Sequence, residues 1–117
     1  MTIKYRGGLA VEYKVAAAAL LTSSNSYVDL YTWSVAYFKT KQIQFTAATN
    51  NLHFKVLGSI DGGLTFPTTV EAEFTVNAAA STIKSWTGIY THLKAQIQPA
   101  VASTHGTGTI DILGVSY

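Results

Sequence analysis

Cysteine is absent from these 117 residues, so the chain has no disulfide, no thiolate nucleophile and no thiolate metal ligand. Charge is scarce as well. Asp, Glu, Lys and Arg make up 12% of the sequence, about half of the ~25% usual in globular domains. Eight basic against six acidic residues leave a net charge of +2, too little for the counterion release that drives nucleic-acid binding. Nucleic acid is therefore not an expected partner. No apolar run approaches the ~20 residues that span a bilayer as a helix, so a membrane is not expected either. Lys4 and Arg6 open the chain, but the apolar stretch 9–11 is broken by Glu12 and Lys14, and no secretory signal is expected.

What is present is apolar and neutral. Hydrophobic residues form 48% of the sequence, including two Trp, seven Tyr and five Phe, enough for one core at a length that accommodates one domain. Thr, Ser, Asn and Gln supply a polar but largely uncharged surface. Such a surface lacks the repulsion that keeps monomers apart, and interface cores are poor in charge and rich in aromatics. A self-associating or partner-covered protein is the expected class. The remaining charge is uneven: residues 1–58 carry six cations against Glu12 and Asp29, net +4, and residues 59–117 carry Lys84 and Lys94 against four carboxylates, net −2.

Period-two alternation is the dominant local signal, and it places one parity of side chains on the core face of a strand. In residues 42–47 the apolar set is Ile43, Phe45 and Ala47; from residue 52 it is Leu52, Phe54, Val56, Gly58 and Ile60. Thr49-Asn50-Asn51 between them is tight-turn material, because Asn tolerates positive φ, and the pair reads as a hairpin. Val70, Ala72, Phe74 and Val76 alternate with Thr69, Glu71, Glu73 and Thr75. Residues 89–98 predict a strand burying Ile89, Leu93, Ala95 and Ile97, and residues 109–117 are apolar on both parities, as in a strand covered on both faces. Near the N-terminus residues 9–15 alternate like a strand, whereas residues 16–21 suit either a strand or a short helix. Residues 27–38 favour a strand through their aromatic and β-branched content, although Leu30, Trp33 and Tyr37 would also align on a helix. The expected fold is all-β, a single antiparallel β-sandwich or jelly-roll-like domain of about six to eight strands over residues 9–117, with an extended N-terminal arm over residues 1–8. Residues 22–26 and 100–108 read as loops.

Reactive constellations are thin. His53, His92 and His105 are dispersed, with no metal-ligand spacing between them, although a final hairpin would bring His92 and His105 together. Asp61-Gly62-Gly63 reads as a tight turn rather than a phosphate loop or a calcium loop. Glu71 and Glu73 share a polar stripe about 7 Å apart, the spacing of a solvated strand face. No serine nucleophile motif occurs. The expectation is a non-enzyme with no catalytic residue, no metal and no cofactor. Aromatics supply the site-like features. Tyr31, Trp33 and Tyr37 would form a glycan-stacking platform if exposed, and Trp86, read as lying in a loop, is a candidate exposed anchor.

From Leu52 onward the succession FKVLGSIDGGLTFP, TVEAEFTV, IYTHLKAQIQPA and HGTGTIDILGVSY resembles small β-sandwich virion proteins of tailed bacteriophages, of the head-decoration or cement type. In that family a DGG-like turn joins a strand pair, followed by a Tyr-x-x-Leu/Val-x-Val strand and a His/Gly/Thr-rich loop leading into the last strand. Tyr90 and Leu93 fit the pattern, and Ala95 stands where Val is usual. The resemblance implies a capsid decoration protein that binds the major capsid protein or another virion protein and stabilises the shell. It would be made in the host cytoplasm, sit on the capsid surface and associate as a homo-oligomer, a trimer being favoured. The arm, with Lys4, Tyr5 and Arg6, would provide the attachment contacts. The alternative is a carbohydrate-binding module or lectin-like adhesin, head-fibre or tail-associated, using Tyr31, Trp33 and Tyr37.

Overall fold

The computed structural model describes residues 2–6, 9–15, 19–21, 26–101 and 106–116. They form ten strands: β1 (Thr2–Arg6), β2 (Leu9–Val15), β3 (Ala19–Leu21), β4 (Val28–Ser34), β5 (Thr40–Thr49), β6 (Leu52–Ser59), β7 (Thr68–Val76), β8 (Ala80–Trp86), β9 (His92–Pro99) and β10 (Gly106–Val115). One sheet runs β4-β9-β6-β7; the other runs β1-β2-β10-β5-β8, with β3 also pairing β10. Every pairing is antiparallel. Strands β4 to β10 make the sandwich, four strands packed on three, in agreement with the expected all-β class.

The alternation read from sequence becomes burial directly. In β5, β6 and β9 every second side chain is buried, and these inward residues meet across the layers. Phe45 of β5 lies 5.0 Å, centroid to centroid, from Phe54 of β6 and 4.9 Å from Phe74 of β7, the latter edge-on. Such pairs add about 0.5–1.5 kcal/mol each beyond their buried area. At the other side of the core Trp33 packs on Phe38 at 6.0 Å.

Two expected hairpins are not hairpins. β5 and β6 alternate as predicted and Asn50 has φ of 60°, but the chain arches between sheets, so the strands face each other through side chains instead of sharing a ladder. β9 and β10 are likewise in opposite sheets. Alternation reports which residues face inward and is blind to which sheet a strand joins. Within the sandwich only β6 and β7 form a sequential hairpin, through the Asp61-Gly62-Gly63 loop.

Local departures have local causes. Ile89, expected in the core, is 94% exposed because β9 begins only at His92. β10 buries one face and half-exposes the other. Its inward Gly114 lets the Phe38 ring close over it: a Cβ there would lie 2.6 Å from that ring. In β7 the ladder to β6 slips twice between Phe54 and Leu57, and these bulges leave Ala72 exposed. β8 escaped the hydrophobic pattern, since Lys84 is half-buried while Ile83 points out at 55% exposure.

In the N-terminal segment, residues 2–6 pair with β2 in the register Lys4↔Val11, Tyr5↔Ala10 and Arg6↔Leu9. β2 continues the sheet along residues 111–115 of β10, and β3 along residues 106–108. Residues 19–21 are therefore strand, which settles that part of the helix-or-strand question. The remainder of it, residues 16–18, lies outside the described residues, as do residues 22–25 and His105.

Candidate interaction surface

The registers bring three loops to one end of the sandwich. These are residues 35–39 after β4, residues 60–67 after β6 and residues 87–91 after β8. Four large apolar side chains project from them: Tyr37 (76% exposed), Ile60 (75%), Leu64 (85%) and Ile89 (94%). Single exposed apolar residues are ordinary, but four gathered on the loops of one end make that end the candidate interaction surface.

The loops bearing them are tightly held. Gly62 and Gly63 adopt φ of 81° and 88°, which a Cβ would strain. The chain thereby folds around the Asp61 carboxylate, which accepts from Ser59 Oγ at 2.6 Å, from the amides of Leu64 and Thr65 at 3.1 Å each, and from Thr65 Oγ1 at 2.5 Å. These bonds, led by those from Ser59 and Thr65, hold its pKa far below the usual carboxylate range. Thr91 joins the loops together. Its amide donates to Ser59 O at 2.8 Å, its carbonyl accepts from Val35 N at 2.9 Å, and its hydroxyl oxygen accepts from Gly62 N at 3.0 Å.

Lys41 closes the same end from inside. It is 1% exposed, and its ammonium donates to Phe38 O at 3.3 Å and to Gly88 O, with the Tyr90 ring centroid 5.9 Å away. One buried cation thus ties the loop after β4 to the loop after β8. Burial lowers its pKa. Lys41 shares the inward parity of Ile43, Phe45 and Ala47 in β5, so alternation places it on the core face, but nothing in the sequence marks the loop carbonyls it meets there. His92, behind the Asp61 loop, has a buried Nδ1 with no hydrogen-bond partner.

The expected aromatic sites are rearranged by the fold. Trp33 is 1% exposed, so its ring has no free face and cannot stack on a sugar. Tyr31 is half-buried against the core, and of the three platform residues only Tyr37 faces solvent. Trp86, expected as an exposed loop anchor, instead ends β8 and is 9% exposed. Its indole N–H donates to Glu71 Oε1 at 3.2 Å, and Lys84 Nζ lies 3.7 Å from Glu71 Oε2. Glu71 is pulled to the seam between the sheets. Glu73, two residues on, accepts from Tyr27 OH and from Gln98 Nε2 on the outer face of the four-stranded sheet. The bulges in β7 therefore break the expected Glu71–Glu73 stripe.

That outer face is polar and internally paired. Asp29 accepts from Gln96 Nε2 at 2.8 Å and meets Lys94 Nζ at 3.4 Å; Lys55 lies 4.1 Å from the Tyr27 ring centroid; His53 Nδ1 is 3.0 Å from Thr75 Oγ1. Burial, then the bond to Glu73 and its charge, raise the Tyr27 pKa, and that bond lowers the Glu73 pKa. Among the described residues, no three His, Asp or Glu side chains are grouped to hold a metal ion. A shallow groove over β5, β8 and β10 has a volume of about 200 Å³, below the ~300 Å³ at which small-molecule pockets begin.

No protein-family model and no curated protein matches the sequence. A likeness of fold is found among solved structures. A chain from a study of Bacillus endospore appendages, described as a family of disulfide-linked pili, superposes with a TM-score of 0.53 at 14% identity, covering 97% of this chain and 96% of that one. A chain of the infectious bursal disease virus Gx strain gives a TM-score of 0.49 at 13% identity, covering 92% of this chain and 32% of that one. The first likeness is one of architecture. Without cysteine, this chain cannot form the disulfide links for which those pili are described.

Proposed function

We infer that this chain is a non-enzymatic structural subunit of a multi-copy assembly, and within that class a decoration or cement protein of a tailed-phage head. The observation that carries the reading is the apolar-tipped end. Tyr37, Ile60, Leu64 and Ile89 stand in solvent on loops locked by Asp61, Thr91 and Lys41, and a rigid apolar tip loses little entropy when covered. The polar side chains support this by being spent on structure: Asp61, Glu71, Glu73 and Asp29 each hold neighbouring donors. The phage-head assignment rests on the resemblance over residues 52–117, and it places the working site of the protein on the capsid surface after synthesis in the host cytoplasm. Residues 1–8, with Lys4, Tyr5 and Arg6, are the proposed contacts to the shell, assisted by their basic charge.

The test is to add purified protein to empty heads assembled from a major capsid protein encoded in the same genome. Saturable binding at a fixed number of copies per shell, lost when residues 1–8 are deleted, is the expected result. Binding unchanged by that deletion removes the arm from the reading, and absence of binding removes the decoration role. The glycan-binding alternative is left without a platform of several rings, since Trp33 and Trp86 are buried and Tyr31 is half-buried, and Tyr37 alone of its rings faces solvent.

A further inference from the structure

The end opposite the apolar tip has its own character. It is built from the arch after β5, the turn between β7 and β8, and the chain leaving β9, with Ser26 and Tyr27 entering β4 beside them. Thr49, Asn50, Asn51, Asn77, Ala78, Ala79, Ala80, Ala100 and Val101 occupy it, and among the described residues of the arch, the turn and the chain leaving β9 none is ionisable. It is also rigid: Asn51 Oδ1 accepts from Ala78 N at 2.9 Å, and Asn51 O accepts from Ala100 N at 3.0 Å. Ala78 and Ala79 are exposed and Val101 is 61% exposed, so this end presents small apolar side chains on a fixed frame.

The two ends match in the properties that decide association. The three tip loops carry Lys39 and Asp61 as their only charged residues, and Asp61 is enclosed by donors of its own loop. The side of the four-stranded sheet, in contrast, carries Asp29, Lys55, Glu73 and Lys94, which would be desolvated by a lateral contact. Large projecting side chains stand at one end of the strands and small ones at the other. A contact between unlike patches is heterologous, and it propagates into rows or rings instead of closing as a twofold dimer.

We propose that a second copy of this chain occupies the apolar tip, seating Ile60, Leu64 and Ile89 against its Ala78–Val101 end, so that subunits associate end to end. This rests on the structural-subunit reading and specifies which surfaces copies share. The experiment is sedimentation velocity over a wide dilution series. It compares the wild type, a tip variant (Leu64→Asp with Ile89→Asp) and a far-end variant (Ala78→Glu with Val101→Glu), each checked for an unchanged circular-dichroism melt.

Concentration-dependent association is expected for the wild type and weakening of about tenfold or more for each variant alone. An equimolar mixture of the two variants should recover a discrete 1:1 dimer, because each contributes the end that the other lacks. A far-end variant that still dimerises while the tip variant does not would replace the proposal with a tip-to-tip twofold. A wild type that stays monomeric throughout, or whose tip binds neutral phospholipid vesicles in place of a second copy, overturns it. Shell binding in the preceding assay is independent, so a monomer that still decorates heads ends this inference and leaves that function standing.

Discussion

Asp61 is exposed, yet its carboxylate is held down by four hydrogen bonds from its own loop. The folded chain therefore binds fewer protons than the unfolded one as pH drops past the ordinary carboxylate pKa of about 3.9. The stabilising contribution is complete above that value and is lost as pH falls toward the depressed folded-state pKa. In hydrogen exchange, the amides of Leu64 and Thr65 should stay protected well below pH 4. Asp61→Asn should speed their exchange at neutral pH with little effect on core amides. Lys41 has the opposite chemistry with the same direction. Burial lowers its folded-state pKa below the unfolded ~10.4, so the unfolded chain binds more protons between those two values and stability rises with pH there. Lys41→Met should keep stability within about 2 kcal/mol, because an apolar side chain avoids the desolvation of a buried ion. It should also remove the alkaline slope from urea melts recorded across that interval.

β10 is the strand in which composition and packing are most closely tied. Its inward face carries Gly106, Gly108, Ile110, Ile112 and Gly114, and at Gly114 the space for a side chain is already filled by Phe38. Gly114→Val should cost about 1–3 kcal/mol through overpacking, lowering the urea midpoint with an unchanged m-value. β7 shows the converse, a strand whose polar residues are redirected by irregular pairing. Its alternation is clear in sequence, but two slips in the ladder to β6 send Glu71 to Trp86 and Lys84 and leave Ala72 outside. Period-two patterning assumes an unbroken ladder, and a bulge switches the face on which the next residues of the strand lie.

For the molecule as a whole, five of the six connections between β4 and β10 cross from one sheet to the other. The core is consequently assembled from partners distant in sequence. Trp33, on edge strand β4, is fully enclosed within it. Trp33→Ala should destabilise by about 3–5 kcal/mol, measured by chemical denaturation, through loss of burial and a residual cavity. A surface ring on a glycan platform would tolerate the same change. The same interlacing leaves the two ends as loop surfaces, one tipped with large apolar residues and the other with small ones, while the paired charges Asp29, Lys55, Glu73 and Lys94 lie on the outer face of the four-stranded sheet.

The strand character of β2, β5, β6, β7, β9 and β10, the inward parity of β5, β6 and β9, the turn at Gly62 and Gly63 and the all-β class were legible in the chain, because each depends on the covalent order of a few neighbours, whereas β8 carries no apolar alternation to read. The partners of those strands were not. Whether β5 turns into a hairpin with β6 or arches to the opposite sheet depends on which distant segments supply the hydrogen bonds, and Thr49-Asn50-Asn51 permits both. Burial of Trp33 and Trp86, the divergence of Glu71 from Glu73, the enclosure of Lys41 by loop carbonyls and the gathering of Tyr37, Ile60, Leu64 and Ile89 at one end are all consequences of that pairing. The scarcity of charge was visible from composition; tertiary structure decided its distribution, by pairing Asp29, Lys94 and Glu73 on the outer face of the four-stranded sheet, folding the Asp61 loop around its own carboxylate and enclosing Lys41.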